Sequence, residues 1–213
     1  MAETTRVGDR WLYLCTPDRA DLAPFLAACI RGGVDLVQLR DKHLEARPLL
    51  QRARLALSVC HDHGVPFILN DRPDLALEVG ADGAHVGQDD APAVLARRIL
   101  GPGAVVGLST HERDQLDASR DQPVDYVSAG PVSATPTKPG RAGTGLGYVA
   151  YAAAHATRPF FVTGGVSPDT IRPMVAAGAR RFVVVRWLTE AADPELHARL
   201  LREAFERVSG SPG

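Results

Sequence analysis

Short apolar runs alternate with longer amphipathic stretches along this chain. That alternation is the signature of repeated β-α-β units and a parallel sheet. The runs predict strands at 11–16, 36–40, 67–70, 84–87, 105–109, 126–130, 160–164 and 182–186. Their centres are Val, Leu, Ile and Phe with little polar alternation, as expected of strands covered on both faces. Helices fill the intervals, most clearly at 44–61, 73–79, 91–100, 169–177 and 194–208. Gly64, Gly80, Gly101 and Gly178 stand just past helix ends, where a left-handed residue closes the last turn. Asp169, after Ser167-Pro168, sits where a first-turn acid complements the helix dipole.

Eight such units in 213 residues predict a single TIM (β/α)8 barrel of the α/β class. A doubly wound sheet is the alternative, because periodicity alone does not fix closure. The barrel is expected to span 11–208, with a loose segment at 1–10 and a tail at 209–213. No linker or low-complexity tract divides it. The longest irregular stretch, 131–147, is rich in Gly, Pro and Thr and is long enough to be a functional loop.

Composition narrows the function by exclusion. A formal charge of -1 gives no global field toward nucleic acid or anionic lipid, so basic side chains must act at local sites. Cys15, Cys29 and Cys60 show no metal spacing and read as buried reduced thiols. No apolar run approaches a membrane span and no signal peptide is visible, so the expected location is the cytoplasm.

In a TIM barrel the active site forms from the loops after the strands. The acids there are the most informative feature. Asn70-Asp71 closes the third strand, and Asp89-Asp90 follows the fourth. Either acid alone could cap the next helix, opened at Arg72-Pro73 or Ala91-Pro92. Two acids on adjacent strand ends instead suit Mg²⁺, which takes a few carboxylates plus a substrate's phosphate oxygens. Only one of Asp89 and Asp90 need face the site.

The other strand ends carry groups for anions and rings. Gln38, Arg40 and Lys42 alternate after the second strand and can share one face, offering an amide and two cations to a heteroaromatic edge and a phosphate. A solvated rim with an Arg40–Asp41 pair is the structural alternative. Ser109-Thr110-His111 ends the fifth strand, with a hydroxyl for a phosphate oxygen or a cap. Thr135, Thr137 and Lys138 form a candidate phosphate clamp that lacks P-loop spacing. Gly164-Gly165 and Val185-Arg186 end the last two strands, the recurrent phosphate position of this fold. The Gly143-Thr144-Gly145-Leu146-Gly147 run has no strand directly before it and reads as loop flexibility rather than a dinucleotide site. His61, His63, His85 and His111 read as structural.

In this order VQLRDK, ILNDRPDLALEVGADGAHVGQDD, VVGLSTH, DYVSAGPVSATPTK and FFVTGGV resemble the thiamine phosphate synthase family, from about Trp11 to Leu188. The resemblance implies a barrel enzyme that joins a hydroxymethylpyrimidine diphosphate to a thiazole phosphate, or its carboxylated form, and releases pyrophosphate. It implies that Gln38, Arg40, Lys42 and Asn70 hold the pyrimidine diphosphate and that Asp71 and Asp90 ligate Mg²⁺. Ser109 and Lys138 would contact the diphosphate or pyrimidine, and Thr135 and Thr137 the thiazole phosphate. Gly164, Gly165, Val185 and Arg186 would form the phosphate cup. Arg40, Lys42, Ser109 and Lys138 are the catalytic set so implied. The chain departs from the family pattern in three places. Arg186-Trp187 replaces a small Ser-Ala pair, Thr163 replaces an apolar residue, and Arg180-Arg181 replaces Asp-Gly.

The implied chemistry is dissociative: the diphosphate leaves, and the thiazole nitrogen captures the pyrimidinylmethyl cation. It needs no protein nucleophile, in keeping with the lack of a Cys/His or Ser/His pair. The partners are then small molecules, with no nucleic acid or membrane, and a homodimer is compatible with this reading. Alternatives are a thiazole tautomerase-like barrel, a sugar-phosphate isomerase or aldolase barrel, and a non-catalytic thiamine phosphate sensor.

Overall fold

A computed structural model describes residues 7–134 and 142–210. Eight parallel strands close a barrel in chain order, so the doubly wound alternative is excluded. They are β1 (Leu12–Thr16), β2 (Leu36–Leu39), β3 (Phe67–Asn70), β4 (Gly83–Val86), β5 (Val105–Thr110), β6 (Tyr126–Ala129), β7 (Phe160–Thr163) and β8 (Phe182–Val184). β8 pairs with β1, Leu12 opposite Phe182, which completes the ring. The helices outside it are α1 (Leu22–Arg31), α2 (Ala46–Asp62), α3 (Pro73–Val79), α4 (Ala93–Leu100), α5 (Arg113–Ala118), α6 (Gly145–His155), α7 (Ile171–Ala176), α8 (Arg186–Thr189) and α9 (Pro194–Ser209).

Closure divides the apolar strand residues into two sets by parity. Leu12, Leu14, Val37, Leu39, Phe67 and Leu69 face outward into the large core shared with the helices. Tyr13, Leu36, Ile68, Val105, Tyr126 and Phe161 face inward and fill the barrel as a second cluster. Helices meet the outer set with one stripe each, such as Leu22, Phe25, Leu26 and Cys29 of α1. Cys15, Cys29 and Cys60 are buried thiols, not disulfides.

Several boundaries differ from the sequence expectation. Residues 7–9 are not loose: Val7–Asp9 forms a helical turn, and Val7 is buried at the foot of the inner cluster. α2 begins at Ala46 rather than 44, and α4 at Ala93 rather than 91, because Pro92 is held extended. β8 stops at Val184, and Arg186 opens the short α8 rather than extending the strand. The Gly145-Leu146-Gly147 run is the first turn of α6, not a flexible loop. Its entry is fixed by the Thr144 and Gly145 N–H groups, which donate to the Pro131 and Val132 carbonyls at 2.7 and 3.0 Å. No helix among the described residues is long and apolar enough to cross a membrane.

Candidate active site

The C-terminal end of the barrel gathers most of the expected residues into two adjoining hollows. The smaller, about 170 Å³, is lined by Gln38, Arg40, Asn70 and Ser109, together with Tyr13, Cys15, His85 and Ser128. The larger, about 380 Å³, is lined by Gly164, Gly165, Val185 and Arg186, with Trp187, Glu190 and His197 on its outer wall. Thr163, Val183 and Val185 border both, so the two share a wall. Thr135, Thr137 and Lys138 lie outside the described residues.

Gln38 and Arg40 share a face, as their alternation requires. Asp41 does not neutralise Arg40; its carboxylate accepts from the backbone N–H groups of His43 and Leu44 at 2.9 and 3.0 Å and holds the loop. These bonds keep the Asp41 carboxyl below its ordinary range, against the opposing effect of burial.

Lys42 reaches over the two acids. Its Nζ lies 2.9 Å from Asp71 Oδ2 and 3.9 Å from Asp90 Oδ1. Neither acid caps its helix: α3 and α4 begin without a side-chain cap bond from either. Asp90 is the acid of its pair that faces inward, with Oδ2 accepting from the Gly87 N–H at 2.8 Å, while Asp89 is exposed. Burial and the facing Asp90 push the Asp71 carboxyl up. Asp90 is held down: burial opposes this, but Asp71, the Gly87 N–H and the charges of Lys42 and Arg40 prevail. Asp71 has φ 60, the one left-handed non-glycine among the described residues. That conformation costs roughly 1–2 kcal/mol for an L-residue. Strain of this kind collects where function fixes a side chain.

Two carboxylates this close are part of the donor set that a hard cation takes. Among the described residues no group of three or more His, Cys, Asp or Glu side chains gathers to hold a metal. A cation held here would therefore complete its shell with water or substrate oxygens, the habit of Mg²⁺.

Below this rim runs a buried polar series that sequence reasoning missed. Cys15 Sγ donates to Gln38 Oε1 at 3.3 Å, and Gln38 Nε2 donates to the Tyr13 hydroxyl. Tyr13 and Tyr126 hydroxyls meet at 2.8 Å. Tyr126 then meets His85 Nδ1 at 3.0 Å, and His85 Nε2 meets Ser109 Oγ at 2.9 Å. Gly107 makes room for this packing. A Cβ there would lie 2.2 Å from the Tyr126 ring and 2.5 Å from His85 Nδ1. His85, expected to be structural, thus lines the smaller hollow and forms with Ser109 a Ser/His pair that the sequence, with the two residues on separate strands, did not show. Gln88 also reaches the site, donating to the Ser109 carbonyl at 2.7 Å. The available signal was parity: Gln38, Asn70, His85, Ser109 and Ser128 are polar, buried and near the ends of five successive strands.

His111 donates its Nδ1–H to the Gly130 carbonyl, beside the loop's entry. Gly164 and Gly165 have φ 97 and 75, and the Gly164 carbon packs on Pro131, where a Cβ would meet its side chain at 2.6 Å. Trp187 does not close the larger hollow completely; its indole N–H donates to the His197 carbonyl at 3.0 Å and is thereby held against α9.

Known proteins point in one direction. The thiamine monophosphate synthase family profile matches residues 12–188. A protein of Saccharopolyspora erythraea named thiamine-phosphate synthase is 49% identical over 208 residues, covering 92% of this chain and 93% of its own. One of the same name from Thermobifida fusca is 50% identical over 196 residues, with 90% of each chain covered. The solved structure of a thiamine phosphate pyrophosphorylase from Pyrococcus furiosus superposes with a TM-score of 0.85 at 25% identity, over 93% of this chain and 96% of that one. The chain therefore belongs to the thiamine monophosphate synthase family and is a transferase of thiamine biosynthesis.

Proposed function

We propose that the chain joins a hydroxymethylpyrimidine diphosphate to a thiazole phosphate, giving thiamine phosphate and pyrophosphate. The observation that carries this reading is the shared wall of Thr163, Val183 and Val185 between two hollows of different chemistry. One has an amide, hydroxyls and a cation for a polar ring, with Lys42 and two acids above it. The other has paired glycines and Arg186, suited to a phosphate. Two substrates seated on either side of one wall meet across it, which converts their encounter into an oriented one.

In this reading Gln38 and Ser109 hold the pyrimidine ring. Arg40 and Lys42 take the diphosphate, with Asn70 beside them. Asp71 and Asp90 would hold Mg²⁺, which when bound neutralises charge on the leaving diphosphate. The bond from the pyrimidine methylene to the diphosphate oxygen breaks with its electron pair on oxygen. The thiazole nitrogen lone pair then forms the new bond to the methylene carbon. Lys138, Thr135 and Thr137 would complete the phosphate contacts from the segment outside the described residues. The buried thiols fit a reducing compartment, the cytoplasm.

Pyrophosphate release is the test, with pyrimidine diphosphate, thiazole phosphate and Mg²⁺ each omitted in turn. Release that needs all three, with equal thiamine phosphate formed, is the expected result. Release without the thiazole phosphate, or none from folded protein, would overturn the reading.

A further inference from the structure

The polar series under the smaller hollow has a direction. A tyrosine hydroxyl carries one proton. Tyr13 accepts from Gln38 Nε2, so its own proton goes to the Tyr126 oxygen, 2.8 Å away. Tyr126 in turn gives its proton to His85 Nδ1 at 3.0 Å, which must be bare to accept it. A neutral imidazole with a bare Nδ1 is protonated on Nε2. That proton goes to Ser109 Oγ at 2.9 Å, and Ser128 Oγ approaches the same oxygen at 3.4 Å. With its lone pairs engaged, Ser109 keeps its own proton for whatever sits above.

Cys15 Sγ, which donates to Gln38 Oε1 at 3.3 Å, holds the amide in this setting. Turning the amide over gives up that bond and reverses every step. Tyr13 would donate to Gln38, Tyr126 to Tyr13, and His85 Nδ1–H to Tyr126. Ser109 would then give its proton to a bare Nε2. Mixed states leave two donors or two acceptors facing each other among buried groups. Tyr13 and Tyr126 are both completely buried, so water cannot relieve such a fault. The amide setting of Gln38, the tautomer of His85 and the donor character of Ser109 are therefore one variable.

That variable matters for ligand choice. Gln38 retains one N–H and one carbonyl lone pair for the hollow. An aminopyrimidine edge presents an amino donor beside a ring-nitrogen acceptor. Its oxo counterpart presents a carbonyl acceptor beside a ring N–H. The two edges need opposite amide settings. We propose that Tyr13, Tyr126 and His85 are positioning residues that lock the Gln38 amide and the Ser109 proton together and so select an aminopyrimidine over its oxo analogue. The proposal rests on the smaller hollow being the pyrimidine site.

Nitrogen-15 NMR of the His85 ring in the ligand-free protein tests the coupling without any turnover. The wild type is expected to show Nε2 protonated and Nδ1 bare; a protonated Nδ1 would overturn the direction assigned here. Gln38→Glu, studied at a pH where the new carboxyl is ionised, replaces the amide by a group that only accepts, so Tyr13 must donate to it and the series must reverse. The expected result is a proton on His85 Nδ1, three hydrogen bonds from the substitution. A bare Nδ1 in folded Gln38→Glu protein would overturn the coupling. Tyr13→Phe gives a second arm should that variant not fold. It cuts the series two hydrogen bonds from His85. We expect mixed tautomers, and a preference for the aminopyrimidine diphosphate over its oxo analogue that falls about tenfold, the equivalent of one net hydrogen bond. An unchanged tautomer with an unchanged preference would overturn the proposal. An intact tautomer response in a protein that forms no thiamine phosphate would instead sink the proposed function and leave the coupling standing.

Discussion

Val106 and Asp125 exchange two hydrogen bonds: the Asp125 N–H donates to the Val106 carbonyl at 2.8 Å, and the Val106 N–H donates to Asp125 Oδ2 at 2.7 Å. Phe67 with Asp82, and Leu12 with Asp35, make the same reciprocal pair. Each acid stands immediately before an even-numbered strand and ties down the start of the strand before it. Before β8 the chain carries Arg181 instead, and its guanidinium holds the Gly8 carbonyl across the barrel floor. Truncating one of these acids leaves a strand N–H without its acceptor. Asp125→Ala is therefore expected to cost about 1–3 kcal/mol. The acids lie at the end of the barrel opposite the candidate site, so turnover per folded molecule should stay level. A urea titration with unchanged slope and a lower midpoint checks the first part; a fall in turnover of the folded fraction would contradict the second.

Asp35 adds a pH dependence to this device. Burial raises its carboxyl to about 6, although the Trp11 and Leu12 N–H groups, which donate to it, pull the other way. Unfolded, it titrates near 4. Between those values the folded chain holds a proton that the unfolded chain has released, so folding is linked to proton uptake. The stability contributed by this group is therefore present below about pH 4 and is lost as pH rises toward about 6. Asp35→Asn keeps an acceptor and removes the titration. Its stability relative to the wild type should rise across that window and level off above it. A difference that stays flat from acid to neutral pH would refute the assignment.

Most of the barrel was legible because its signal is local. A run such as Phe67-Ile68-Leu69-Asn70 ends where its apolar residues end, and the acids after it are readable as strand-end groups. Gln38 and Arg40 were readable for the same reason: alternation places them on one face before any fold is known. What was not legible depends on closure. His85 and Tyr126 sit in strands buried on both faces, and nothing in either strand alone says which face looks into the barrel. Only the ring brings β1, β4 and β6 to one axis, where Tyr13, His85 and Tyr126 meet. The helical start at Gly145 was hidden for a related reason, since it depends on bonds back to Pro131 and Val132. Glycine-rich sequence suggested flexibility, and tertiary hydrogen bonds overrode it.

Asp71 is placed to show function and stability pulling apart. Its backbone is held at φ 60, and its carboxyl is both partly buried and close to Asp90. Asp71→Gly removes the side-chain clash and the facing acid together. We expect it to match or exceed the wild type in stability, by up to about 1 kcal/mol. Turnover should fall by roughly a hundredfold or more, as loss of a charge-stabilising group does. Thermal melts and pyrophosphate release on the same preparation check both. Lower stability with retained turnover would reverse the interpretation and make Asp71 a structural residue.

Arg186 separates the two hollows by substrate. It lines the larger one, beside Gly164 and Gly165, and does not border the smaller. A guanidinium can bond a phosphate through two N–H groups, worth about 1.5–3 kcal/mol when charge-assisted. Arg186→Ala should therefore raise KM for the thiazole phosphate by about ten- to a hundredfold, while KM for the pyrimidine diphosphate moves little. Arg186→Lys keeps the charge but not the fork, and it should fall between the two. Steady-state kinetics with each substrate varied at saturation of the other gives the answer. Equal increases for both substrates would mean that Arg186 acts on the leaving diphosphate, and the phosphate cup would then be built by Gly164, Gly165 and their backbone N–H groups alone.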